Sequence, residues 1–199
     1  EKVNRFADLL EVLEQQETAG IVEPVAIQAT MAQLLGSELA RPPDALERWG
    51  NVLRLDASHV AARGAVHAAL DDVDLRTMAF GMLVPLYERT GDDQALAALY
   101  DRSVDWSNDA THKIAALTQV VRLRERTGDV RAAFVAQTQL LRNAAAQPQL
   151  RAAVADTERL ADRIDAHGDL IDAYCATLPD VLDAEVARQL HLDVADLSR

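Results

Sequence analysis

The stretch Glu88-Arg89-Thr90-Gly91-Asp92, ERTGD, recurs letter for letter at Glu125 to Asp129. A pentapeptide can recur by chance in a chain rich in Glu and Arg, so its neighbourhood decides. Leu86, Glu88 and Arg89 are matched 37 positions on by Leu123, Glu125 and Arg126, and 37 further by Leu160, Asp162 and Arg163. Val194 and Leu197 stand at the same interval after Thr157 and Leu160, so a fourth repeat opens near the end. Self-similarity at a fixed period marks stacked units, each burying its apolar face on the next.

Within one period the apolar residues come at helical spacing and break at Gly-Asp. Ile114, Leu117 and Val121 form one stripe, widened by Val120 and Leu123; beyond Gly128-Asp129 a second runs through Val130, Ala133, Phe134, Leu140 and Leu141. Two such stripes joined by a short turn predict an antiparallel helical hairpin. The pentapeptide is then a corner. Gly91 and Gly128 supply the positive φ that ends a helix, and Asp92 and Asp129 accept from the free N–H groups of the next one. Arg89 and Arg126 sit at the negative end of a helix dipole. Gly168-Asp169 is expected to make the third corner, displaced by three residues that lengthen the preceding helix or its turn.

Helices are predicted at about 93–104, 110–127, 129–146, 149–166, 169–183 and 184–197. Upstream the register is looser, with helices at about 2–18, 23–37, 44–55, 59–71 and 74–90. Gly20, Arg41-Pro42-Pro43-Asp44 and Asp56-Ala57-Ser58 separate the first four. Pro85 is expected to kink the fifth, because Val84 is a poor cap for a new start. No linker or low-complexity stretch divides the chain, so residues 1–199 read as one all-α domain, an α-solenoid of hairpins. The chain opens at Glu1 without Met and closes at Arg199 soon after the fourth repeat begins; it is expected to be a piece of a longer protein.

Composition agrees. Apolar residues make up 49% and aromatics only 4%, which favours helices packed through Ala and Leu over sheet. A net charge of −12, with Lys2 and Lys113 the two lysines, repels phosphate backbones and anionic headgroups, so neither nucleic acid nor membrane is an expected partner. No run approaches a membrane span in length. The single cysteine, Cys175, cannot form an internal disulfide and fits a reducing, cytoplasmic compartment better than an oxidising one.

The segment Ala45-x3-Trp49-x2-Val52-x4-Ala57 resembles the second helix of a tetratricopeptide repeat, with Val52 and Ala57 departing from the small residue and the proline of that pattern. The first-helix signature is not recovered, and the period is 37 where that family has about 34. The stretches LVPLYERTGD and VVRLRERTGD are similar to degenerate tetratricopeptide-like arrays of very long bacterial proteins. The resemblance implies an α-solenoid that binds other proteins or spaces domains, and it implies no chemistry.

The reactive residues fit that expectation. His59 and His67 are eight apart and two turns removed, too far to share one ion unaided. His112 falls in a capped first turn, His167 at a helix C-terminus and His59 near a helix start. Cys175 lies in an apolar helix and reads as a buried structural thiol. Acidic pairs such as Asp71-Asp72 and Asp92-Asp93 fall at helix ends, where they cap. No phosphate loop, dinucleotide fingerprint, HExxH or CxxC appears; neither catalysis, a metal nor a cofactor is expected. Trp106 reads as a lid over a hairpin end or an anchor for a partner.

The arginines are the candidate contact residues. Arg122 and Arg126 are one turn apart, Arg159 and Arg163 repeat them 37 later, and Arg89 continues the row. Equivalent positions of stacked repeats line up, giving a ladder able to hold acidic groups of a protein or peptide. Glu125 and Asp162, three residues from Arg122 and Arg159, offer the competing reading of a solvated ridge of ion pairs. The functional expectation is a non-catalytic interaction scaffold; a structural spacer or a helical ligand-binding domain are the rivals. Apolar end faces of such a stack also favour pairing with a second copy.

Overall fold

The computed structural model describes residues 2–20 and 23–198, without the side chains of residues 2–4, so the Lys2 side chain and both terminal residues lie outside the description. The helices are α1 (Lys2–Ala19), α2 (Pro24–Ser37), α3 (Pro42–Leu55), α4 (Val60–Ala68), α5 (Arg76–Thr90), α6 (Asp93–Ser103), α7 (Ala110–Arg126), α8 (Val130–Ala144), α9 (Leu150–Ile164), α10 (His167–Thr177) and α11 (Ala184–Leu197). Single 3-10 turns follow α4, α6 and α10, and the described residues contain no strand. The fold class is all-α. Close contacts group the chain into two compact units, the sequence dividing between Gly91 and Asp92.

In the first unit each helix packs on the next, and α5 also touches α3. Leu10, Ile27, Met31, Leu35 and Ala45 knit α1, α2 and α3 together. At their edge Arg48 donates to Glu14 and Glu17 at 3.1 Å each. Buried Gln28 donates to Glu17 and accepts from Asn51. The predicted start of α3 moves forward to Pro42, because the prolines occupy its first turn, where a missing N–H has no helical carbonyl to serve. α5 runs unbroken through Pro85.

In the second unit α6 to α11 pack in succession, and α8 also meets α10. Leu117, Val120, Leu141, Leu160 and Tyr174 are fully buried, with Ala133, Ala144 and Ala161 bringing the helices close. Burial of each of the leucines is worth about 2 kcal/mol, so these few positions carry much of the unit's cohesion. Ion pairs stitch neighbours across the surface: Arg124 to Asp101 at 3.1 Å, Arg131 to Asp169 at 3.1 Å and Arg151 to Asp183 at 2.9 Å.

The first two corners form as the sequence predicts. Gly91 and Gly128 take φ values of +68° and +81°, and Asp92 and Asp129 accept from the N–H of Ala95 and Ala132 at 3.0 Å. The third differs. α9 stops at Ile164 because Asp165 takes the left-handed conformation (φ +54°) and closes the helix before the glycine is reached. Gly168 and Asp169 then fall within the first turn of α10. His167 is correspondingly the first residue of α10 rather than the end of a helix, with Asp165 at 3.3 Å from Nε2. Cys175 is exposed, not buried: the inward stripe of α10 is Leu170, Ala173, Tyr174 and Thr177, and position 175 falls on its other side.

Candidate functional site

α7 and α9 carry matching residues one 37-residue period apart, Arg122, Glu125 and Arg126 on one, Arg159, Asp162 and Arg163 on the other. Between them, over α8, lies a cleft of about 610 Å³. Its lining includes Ile114, Val121, Leu140 and Ala153 as the apolar part, with Thr118, Gln137 and Gln149 as neutral polar groups, and Arg122, Glu125, Asp156 and Arg159 as the charged part. Gln137 is buried and donates to the Ala153 carbonyl at 3.1 Å, tying α8 to α9 under the cleft.

The arginines meet different fates. Arg159 forks onto Glu125, Nη1 to Oε1 at 2.8 Å and Nη2 to Oε2 at 3.1 Å, and its Nε donates to Asp156 at 3.3 Å. Arg163 reaches the same Glu125 oxygen at 2.5 Å. Arg126 donates through two nitrogens to Asp93 of α6. Arg122 is exposed and has no hydrogen bond or ion pair with the other described residues. Arg89 belongs to the first unit, where Nη2 donates to the Leu53 carbonyl at 2.9 Å. The structure therefore gathers Arg159 and Arg163 around the Glu125 carboxylate, leaves Arg122 on the lining of the cleft, pairs Arg126 with Asp93 of α6, and gives Arg89 surroundings of its own.

The competing reading set Glu125 in a ridge of ion pairs beside Arg122; its carboxylate pairs with Arg159 and Arg163 of α9. The fork from Arg159 is the chief reason its carboxyl sits below the ordinary range, with desolvation opposing and Arg163 adding to the effect. Arg159 is raised in turn, mainly by the same bond, and Arg126 by its bond to Asp93. Glu125 is 25% exposed and Arg159 and Arg163 are each 45% exposed. Pairs in such wet surroundings contribute at most about 1 kcal/mol, so their main effect is to fix the guanidinium planes along the cleft.

A wider charge pattern emerges from the sequence once the helices are in place. From residue 110 to 155 the chain carries Lys113, Arg122, Arg124, Arg126, Arg131, Arg142 and Arg151 against only Glu125 and Asp129. A basic stretch covering α7, α8 and the start of α9 thus sits inside a chain of net charge −12. Asp101 and Asp93 of α6, Asp169 of α10 and Asp183, the N-cap of α11, supply the acids that pair with Arg124, Arg126, Arg131 and Arg151.

Four of the five histidines are engaged locally. His59 caps α4 by accepting from the Ala62 N–H at 3.2 Å, and His112 Nε2 lies 2.9 Å from the Ser103 carbonyl. His67 hydrogen-bonds the Tyr87 hydroxyl, over whose ring Arg63 lies at 5.9 Å. Tyr174 donates to Glu158 at 2.7 Å, and burial, followed by that bond, holds its hydroxyl well above the ordinary range. Trp106 is half-buried in the turn after α6. Among the described residues no three His, Cys, Asp or Glu side chains converge, and no helix is long and apolar enough to cross a membrane.

Against family models, curated proteins and solved structures the chain gives no significant match. The cleft has to be read from its own chemistry. Of its floor residues on α8, Gln137 was absent from the sequence reading and Leu140 was read only as part of the apolar stripe of its helix. The 37-residue register aligns α7 with α9 but says nothing of what fills the space between them.

Proposed function

We propose that the chain is a non-catalytic protein-interaction scaffold built from tetratricopeptide-like hairpins stacked as an α-solenoid, with the α7–α9 cleft as a contact surface for a protein or peptide. The observation that carries this reading is Arg122: an exposed guanidinium without a partner among the described residues, on the edge of an apolar-floored cleft whose other arginine, Arg159, is already oriented. A partner that lays an apolar side chain on Leu140 and Val121 and an acidic group against Arg122 meets both halves of the cleft. The 37-residue period and the Gly-Asp corners support the stacked-hairpin reading, since each repeat offers the next an equivalent face.

The test is retention of a partner from a lysate of the source cells. The native chain is compared with a variant carrying Arg122, Arg126, Arg159 and Arg163 changed to Glu, with helicity followed by circular dichroism. The account predicts a partner held by the native chain and lost by an equally helical variant. Equal retention by both would remove the cleft from the contact, and no retention by either would favour a spacer.

A further inference from the structure

The first unit holds a second cleft, of about 550 Å³, between α3 and α5. Its apolar wall is Met78, Met82, Pro85 and Leu86 of α5, facing Gly50 of α3. The two helices touch closely there: a Cβ added to Gly50 would lie 2.8 Å from the Met82 sulfur. Arg54 and Arg89 also line the cleft, where the Arg89 bond to the Leu53 carbonyl brings the last turns of α3 and α5 together. Glu47, the acidic residue in the lining, lies two helical turns before Arg54 on α3, about 10 Å along the axis, so the two charges stand at opposite ends. Pro85 has no N–H to offer the carbonyl of Gly81, four residues earlier, and both residues line the cleft.

We propose that this cleft binds a small amphiphile with an apolar body and one anionic group, a medium-chain carboxylate being the simplest example. The apolar body lies on Met78, Met82 and Leu86, and the carboxylate meets the Arg54 and Arg89 guanidinium groups. Volume, composition and charge agree. Small-molecule sites span about 300–1,000 Å³, are mainly apolar and carry few oriented polar groups. Methionine, unbranched and polarizable, adapts to ligands of varied shape. Gly81 adds room: it is exposed, and no atom stands within 4 Å of where its Cβ would be.

The composition provides its own probe. The chain has three methionines, and Met31 is fully buried away from this cleft while Met78 and Met82 line it. With the methionine methyl groups labelled with carbon-13, the full chain is titrated with octanoate and, separately, with octanol. The expected result is saturable movement of the Met78 and Met82 signals with Met31 still, and octanoate binding about 10-fold more tightly than octanol. Arg54→Gln is expected to remove most of that difference. Gly81→Leu fills the cleft at an open helical position and is expected to abolish binding while thermal stability holds. No movement at about 10 mM octanoate, movement of all three signals alike, equal binding of octanol, or unchanged binding in Gly81→Leu would each overturn the assignment.

Discussion

At Gly128 the backbone takes φ +81° and nothing would crowd an added Cβ, so the conformation alone demands glycine. Gly128→Ala is expected to lower stability by about 1 kcal/mol, measured by denaturant unfolding. Gly168 looks equivalent in the sequence but lies in the first turn of α10 with open space around it. Gly168→Ala is therefore expected to be neutral or stabilising, by up to about 1 kcal/mol. Asp129→Ala, which removes the cap bond to Ala132, is expected to cost about 1 kcal/mol in the same assay. These substitutions mark the limit of what the repeat reveals. The letters Gly-Asp predicted two corners because glycine enters the left-handed region without the steric cost that any side chain carries. The third was missed because Asp165 can adopt that region too, three residues earlier, and a residue that tolerates a conformation leaves a weaker trace than one required for it.

Between helices, the forked bond from Arg159 to Glu125 ties one repeat to the next. A carboxyl depressed in the folded state takes up its proton more readily in the unfolded chain. The pair's stabilisation is therefore complete above the ordinary value of 4.5 and is lost as pH falls below it through the folded value. Glu125→Gln is expected to weaken the native chain at neutral pH by no more than about 1 kcal/mol and to narrow the gap between the two as the solution is acidified, followed by unfolding midpoints from pH 7 to pH 3. Leu160→Ala, at a fully buried position of α9, is expected to cost about 3 kcal/mol at either pH. The helices themselves were legible from apolar spacing, and so was the presence of arginines at equivalent positions. Their pairing was not. Side chains of Arg and Glu are long enough to choose between their own helix and the next, and spacing along the chain cannot rank those choices. Nor does helical periodicity distinguish Cys175 from its buried neighbours Tyr174 and Thr177 without the direction of the core.

At the scale of the whole chain, the second unit carries a core of its own, running from Val104 to Leu190. A fragment of residues 92–199 is expected to keep its helicity and unfold cooperatively, as followed by circular dichroism; a fragment without cooperative unfolding would show that this core depends on the rest. Fold class was readable from composition and period because both act on every residue, while the floor of the α7–α9 cleft depends on three helices meeting and left no signal in any one of them. The scaffold reading rests on that cleft. Hydrogen exchange of the chain, alone and with the partner captured from lysate, tests it most directly. The account predicts slowed exchange centred on α7 and α9 around Arg122, Glu125 and Arg159; protection elsewhere with these helices unchanged would contradict it.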